Sequence, residues 1–302
     1  DTKKAAQELA EAFDVEKFHA ETLIRTEIAH ARSMSDMKAY EDIGTKRYRY
    51  LATLDERTCP VCGGLDGKSF ELSGAAEGVN YPVMHPRCRC TTTMDIRYFR
   101  RRARNPITGR NEVTDGGLTY DTWRQSMSDE EKAAFEKAGR KYRNKAADKQ
   151  QYEEYKEILG SKNMPKSFDK FQEMKYNEDE KKTWELLKDY KNSRSSNMIS
   201  AFTSFEDYKE YKKKINDELV GLVTIDGVEI KSQSKHFIER VFGTSEDPHT
   251  KRPRDGVDIE DIKEALINGT TKHRRDSLRY FGNRCVVSVN KDSGILIQTN
   301  PK

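Results

Sequence analysis

Apolar positions recur along this chain in three different ways. In the N-terminal stretch Leu9, Phe13, Phe18, Leu23, Ile24 and Ile28 return at roughly helical spacing with charged residues between them. Gly44 ends that signal, and Tyr48-Arg49-Tyr50-Leu51-Ala52-Thr53-Leu54 reads as a strand. From about residue 99 to 215 the chain is polar, rich in Lys, Glu and Tyr, and without a β-signature. Ser128 before Asp129-Glu130-Glu131 is a helix N-cap followed by acids in the first turn. Gly160 followed by Pro165 separates helices, and Ser204 to Lys214 is a further charged helical stretch. The thin apolar stripe predicts a loosely packed connector or partner-binding arm.

The third pattern is that of a small α+β domain. Val220, Leu222, Val223 and Ile225 lead into Asp226-Gly227, a hairpin turn signal, and on to Val228-Glu229-Ile230. A short helix is expected from about Lys235 to Phe242, and a second one behind Asp258, holding Ile259, Ile262 and Leu266 and closed by Asn268-Gly269. Leu278 to Phe281, Cys285 to Val289 and Ile295 to Thr299 alternate as strands, with Gly282-Asn283 and Asp292-Ser293-Gly294 as turns. The prediction is a multidomain α+β chain. Residues 1–98 are mostly helical with a small β region, 99–215 form the charged helical connector, and 216–302 form an α+β domain with an antiparallel sheet.

Length and charge bound the function. The 302 residues suffice for two cores, yet 34% are hydrophobic and 35% charged, so much of the chain is solvated surface. The 55 basic and 51 acidic residues leave a net charge of +4, so nucleic-acid binding has to come from local patches. No run of about 18 apolar residues exists to span a membrane. The chain opens on Asp1 with no signal-like stretch and reads as a fragment or processed product.

Four of the five cysteines fall in one window. Cys59-Pro60-Val61-Cys62 is one half-site and His85-Pro86-Arg87-Cys88-Arg89-Cys90 the other, with the tight turn Leu65-Asp66-Gly67-Lys68 between them. Cys-x-x-Cys and His-x-x-Cys each place two soft donors on one side of a backbone knuckle. Two such knuckles suit a closed structural zinc site that supplies folding energy rather than chemistry. Five donors compete for four positions, so the choice between Cys88 and Cys90 stays open, and disulfides or uncommitted thiols are the rival readings. Cys285, alone in an apolar run, reads as a buried unpaired thiol.

The run Leu54 to Cys62, then Leu65-Asp66-Gly67-Lys68, then His85 to Cys90, resembles the Mu F-like head-morphogenesis domain of tailed bacteriophages. The helix at Arg25-Thr26-Glu27 and the segment Thr119-Tyr120-Asp121-Thr122-Trp123 are similar to such proteins too. The resemblance covers roughly residues 20–125. It implies a minor head protein in the virion, at the capsid interior and associated with portal and capsid proteins. Such a protein acts in head assembly or genome delivery and passes through the host cytoplasm during assembly or after delivery. In that setting Arg97, Arg100, Arg101, Arg102, Arg104 and Arg110 could contact packaged DNA through its phosphates, the alternative being a solvated linker.

In the C-terminal block, helical spacing puts His236 and Arg240 on one face. Arg252-Pro253-Arg254 and Lys272-His273-Arg274-Arg275 add basic loops, and Thr299 ends the last strand. A metal-independent ribonuclease needs a base for the 2′-hydroxyl, an acid for the leaving oxygen and cations for the phosphate. His236 fits the base, Arg240, Arg254 and Arg275 the clamp, His249 or His273 the acid, and Thr299 a phosphate contact. Glu239, one position before Arg240, is expected to matter much less. With its two short helices and terminal strand, the block resembles small phage-borne nucleases of the barnase, EndoU, colicin and RelE-like group over about 228–302. That resemblance implies RNA as a substrate. The competing class is a non-enzymatic DNA-binding ejection or structural protein of the phage head.

Overall fold

A computed structural model describes residues 1–13, 16–96, 98–244, 246–247 and 249–302. They form an α+β chain that divides into two units, Asp1–Arg143 and Asn144–Lys302.

In the first unit, helices α1 (Thr2–Phe13) and α2 (Lys17–Asp42) pack on each other. Strand β1 (Arg47–Leu51) follows, then the short helix α3 (Pro60–Leu65) and strands β2 (Ser69–Glu71) and β3 (Thr91–Met94). The three strands make an antiparallel sheet with β1 in the middle. Alternation along β1 buries Tyr48 and Tyr50 completely, and Tyr48 packs edge-on against Tyr81. The turn between α3 and β2 needs Gly67, whose φ is +79° and whose missing Cβ would lie 2.7 Å from the Thr119 methyl.

A second sheet follows that the sequence pattern does not predict. Strands β4 (Arg100–Arg104) and β5 (Asn111–Asp115) pair as an antiparallel hairpin. The inward positions of β4 are Arg101 and Ala103, while Arg100, Arg102 and, at the turn beyond, Arg110 are exposed. Arg97 lies outside the described residues. Helices α4 (Tyr120–Ser126) and α5 (Asp129–Arg143) complete the unit. Tyr120, Trp123, Met127 and Phe135 form a core with Leu54 and Ala103. Ser128 caps α5 as expected, its hydroxyl accepting from the Glu131 N–H at 3.2 Å while the Glu131 carboxylate returns to the Ser128 N–H at 2.8 Å.

The second unit begins with four helices: α6 (Lys145–Leu159), α7 (Phe168–Tyr176), α8 (Lys181–Ser195) and α9 (Phe205–Leu219). Strand β6 (Ser232–Gln233), helices α10 (Lys235–Val241) and α11 (Ile259–Asn268), and strands β7 (Thr270–His273), β8 (Ser277–Phe281), β9 (Cys285–Asn290) and β10 (Ile295–Pro301) follow. The sheet runs β6-β10-β9-β8-β7, with β6 parallel to β10 and every other pair antiparallel.

A single core runs through this unit, from Tyr155, Phe171, Trp184, Leu187 and Tyr208 on the helices to Phe237, Ile262, Tyr280, Val287 and Leu296. The stretch read as a connector, 99–215, is therefore shared out: 99–143 lies in the first unit and 144–215 in the second. Its packing rests on aromatic rings, with Phe171 edge-on to Trp184 and Tyr155 stacked on Trp184. Tyrosines look polar in a pattern and bury most of their area in a core. Conversely, 220–230 forms a turn at Gly227 but only one isolated bridge, Val223 to Glu229, and Val223 and Ile225 stay exposed.

Candidate functional site

The sulfur and imidazole donors gather where α3 meets the loop after β2. Cys59 is the N-cap of α3, and its Sγ accepts from the Cys62 N–H at 3.4 Å, which turns both sulfurs to one side. On the other knuckle the Cys88 N–H bonds the His85 carbonyl at 3.0 Å. His85 Nε2 lies 3.4 Å from both Cys59 Sγ and Cys62 Sγ. Its Nδ1 is 2.9 Å from the Pro86 carbonyl, which can only accept. Nδ1 therefore carries the proton, and Nε2 is the bare nitrogen facing the sulfurs.

Two groups of donor atoms result, Cys59/Cys62/His85 and Cys62/Cys88/Cys90, each within 4.8 Å of one another and sharing Cys62. All five cysteines are free thiols, Cys285 among them and buried as expected. Crowding splits their acidities. Thiol donors on Cys62 and Cys90 hold Cys88 well below the usual thiol range. The bond to Cys88 pushes Cys62 up, and Cys90, drawn down by Cys62 but raised by Cys88 and burial, stands at about 12. Protons shared among packed sulfurs are what a bound cation would displace, so this cluster can hold a metal ion.

Two carboxylates fix the cluster's frame, and the sequence reading missed both. Asp66 is buried and accepts from the Ala52 N–H and the Tyr120 N–H, each at 2.7 Å, and from Arg101 at 2.9 Å. It ties the α3–β2 turn to β4 and α4. Asp55, also buried, grips Arg89, which lies between Cys88 and Cys90. Burial alone would raise the Asp55 carboxyl, but Arg89 and the Arg57 N–H hold it below the usual range.

In the second unit the candidate residues on α10 do come together. His236 is half-buried, and its Nε2 lies 3.4 Å from Arg240 Nε. Arg240 sits 3.4 Å from the buried carboxylate of Asp247. Arg254 reaches the same cluster but is only 8% exposed and lies 3.4 Å from Asp247. Its other N–H groups bond the carbonyls of Arg240, Met198 and Glu239 at 3.1–3.2 Å, the work of a strut.

The other candidates sit elsewhere. His249 is exposed beside Asp247 and donates its backbone N–H to that carboxylate at 2.9 Å. Thr299 is fully buried opposite Val287. Exposed Arg275 and His273 belong to the β7–β8 hairpin at the far edge of the sheet. α10 packs on β10, and three strand spacings, roughly 14 Å, separate β10 from β7. Glu239, expected to be peripheral, is buried beside His236.

Residues 1–93 match the family model described as Phage Mu protein F like protein. The match takes in 93 of the 302 residues, includes all five Cys and His donors, and ends inside β3. No curated protein and no solved structure matches the chain. No described helix is long and apolar enough to cross a membrane.

Proposed function

We propose that the chain is a minor head protein of a tailed phage whose first unit is built around one structural zinc ion. The observation that carries this is the match over 1–93, which includes Cys59, Cys62, His85, Cys88 and Cys90. Thiolates with one imidazole are the donor set of tetrahedral structural zinc, and four of these five would fill its coordination. A zinc ion held there would supply cohesion, with the Cys59–Cys62 and His85–Cys90 segments both contributing donors. The partners of such a unit are portal and capsid proteins, and its place is the virion interior. Mass spectrometry of purified particles of the encoding phage is expected to find the chain at low copy number. A chain confined to the infected cell and missing from particles overturns this reading.

A second reading concerns the C-terminal unit, and the half-exposed His236 resting against the largely buried Arg240 favours it. The unit acts as an endoribonuclease that needs no metal. His236 Nε2 takes the proton of the 2′-hydroxyl, and the 2′-oxygen attacks phosphorus as the bond to the 5′-oxygen breaks. A 2′,3′-cyclic phosphate and, once protonated, a 5′-hydroxyl result. Arg240 faces the growing charge on phosphate. Arg254 and Asp247 act from behind, while Arg275, His249 and His273 are exposed and available to a long substrate.

The full chain is expected to cut RNA in EDTA, and His236→Ala to lose roughly 10²- to 10⁴-fold in turnover. A need for Mg²⁺, or full activity in the variant, contradicts it. Salt-dependent binding of nucleic acid without cleavage favours the non-enzymatic DNA-binding class instead, with Arg100, Arg102 and Arg110 as the exposed phosphate contacts.

A further inference from the structure

We propose that Glu239 is a positioning residue that holds His236 in its Nδ1–H tautomer, so that Nε2 is the nitrogen offered to substrate, with Ser193 of α8 fixing Glu239. This rests on the ribonuclease reading of the same site.

Glu239 looks like a surface residue in sequence, one more charge on a short helix. Its side chain is nevertheless only 7% exposed. A carboxylate taken out of water has to be met by donors. Oε1 accepts from Ser193 Oγ at 2.7 Å and has Lys235 Nζ at 3.5 Å. Oε2 faces His236 Nδ1 at 3.5 Å. Ser193 is itself fully buried, so its hydroxyl has a fixed place from which to donate.

The opposite side of the imidazole gives the same answer independently. Arg240 Nε lies 3.4 Å from His236 Nε2, and a guanidinium nitrogen can only donate. Nε2 must therefore be bare in the neutral ring, which leaves the proton on Nδ1, where the Glu239 carboxylate can accept it. The Arg240 contact is at the long end of hydrogen bonding and is readily exchanged for a 2′-hydroxyl. The Glu239 contact is long as well, as is common before substrate tightens a site. A general base works only through the nitrogen that has no proton, and the partner of the other nitrogen decides which one that is.

Helix α8 is thereby part of the site. Beyond Ser193, the carbonyl of Met198 accepts from Arg254 at 3.1 Å, and the Ser200 N–H bonds the Gly243 carbonyl at 3.1 Å. The wall behind α10 is made by a helix that composition alone would assign to a linker.

The test uses the full ¹⁵N-labelled chain. Long-range ¹H–¹⁵N correlation at alkaline pH reports which ring nitrogen of each histidine is protonated, with the His236 signals assigned by their loss in His236→Ala. Wild type is expected to show His236 as Nδ1–H alone. Glu239→Met keeps much of the volume and cannot accept a proton. It is expected to lose that tautomer and to lower kcat on RNA roughly 10²-fold at little-changed KM. Ser193→Ala is expected to lower kcat several-fold.

A wild-type His236 protonated on Nε2 overturns the proposal whatever the variants do. So does a folded Glu239→Met chain that keeps the Nδ1–H tautomer or full kcat. A wild type with Nδ1–H that leaves RNA intact overturns the ribonuclease reading and leaves the tautomer assignment standing.

Discussion

Five acidic residues among those described are buried by the fold: Asp55, Asp66, Asp148, Glu239 and Asp247. Each is met by donors that make its burial tolerable. Asp247 gives the most direct pH prediction. The backbone N–H groups of Thr250 and His249 hold its carboxyl below the usual range, and Arg240 and Arg254 reinforce them against the cost of burial. Because the folded value lies below the unfolded one, its stabilisation is fully present above the ordinary carboxylate range. It is lost as pH falls through the folded value. Urea unfolding across that window should show the acid limb flattened in Asp247→Asn, and parallel limbs in wild type and variant contradict it. The clustered sulfur and imidazole groups were legible in sequence because Cys-x-x-Cys and His-x-x-Cys are local. Asp66 and Glu239 were not, because the partners that fix them are remote: Arg101 is 35 positions from Asp66, and Ser193 is 46 from Glu239.

At the scale of elements, two serine caps were readable, while Asp258, expected to cap α11, stands at its N-cap without a side-chain cap bond. Ser128 and Ser204 both close capping boxes, Ser204 with Asp207, whose N–H it accepts at 3.1 Å. Ser204→Ala should cost about 1 kcal/mol in the urea unfolding of the second unit, the usual loss of an N-cap. A change near zero would mean that the packing of Phe205 and Tyr208 alone sets the start of α9. The strands β4 and β5 were hidden for a physical reason. One inward position of β4 is Arg101, buried by its pairing with Asp66, so the alternation of apolar and polar residues that marks a strand is absent. Strand β7 was hidden differently. Thr270, Lys272 and His273 are exposed on the sheet's edge, where no apolar face is required. Strands β8, β9 and β10 were readable because Leu278, Tyr280, Val287, Val289 and Leu296 are buried in the core.

For the whole molecule, the two units differ in what holds them. The second has one core drawn from α6 through β10, and Cys285 is its only cysteine. Residues 144–302 alone should therefore unfold in a single cooperative transition. Residues 216–302 should not, since they lack Phe171, Trp184, Leu187, Tyr190 and Tyr208. A natively stable 216–302 fragment would show that the helices are dispensable. The first unit has smaller cores, one of six buried residues around Trp123 and another in which Cys62 and Cys88 are buried with Tyr50 and Ala52. Without a metal, the four thiols of that second cluster are packed with competing protons, which a bound cation would relieve. Native mass spectrometry of the full chain, purified without added metal, measures this directly. The expected mass is that of the chain plus about one zinc per chain, the zinc being lost together with the fold of the first unit on chelation. A folded chain without metal, or one in which Cys59 is disulfide-bonded, would contradict it.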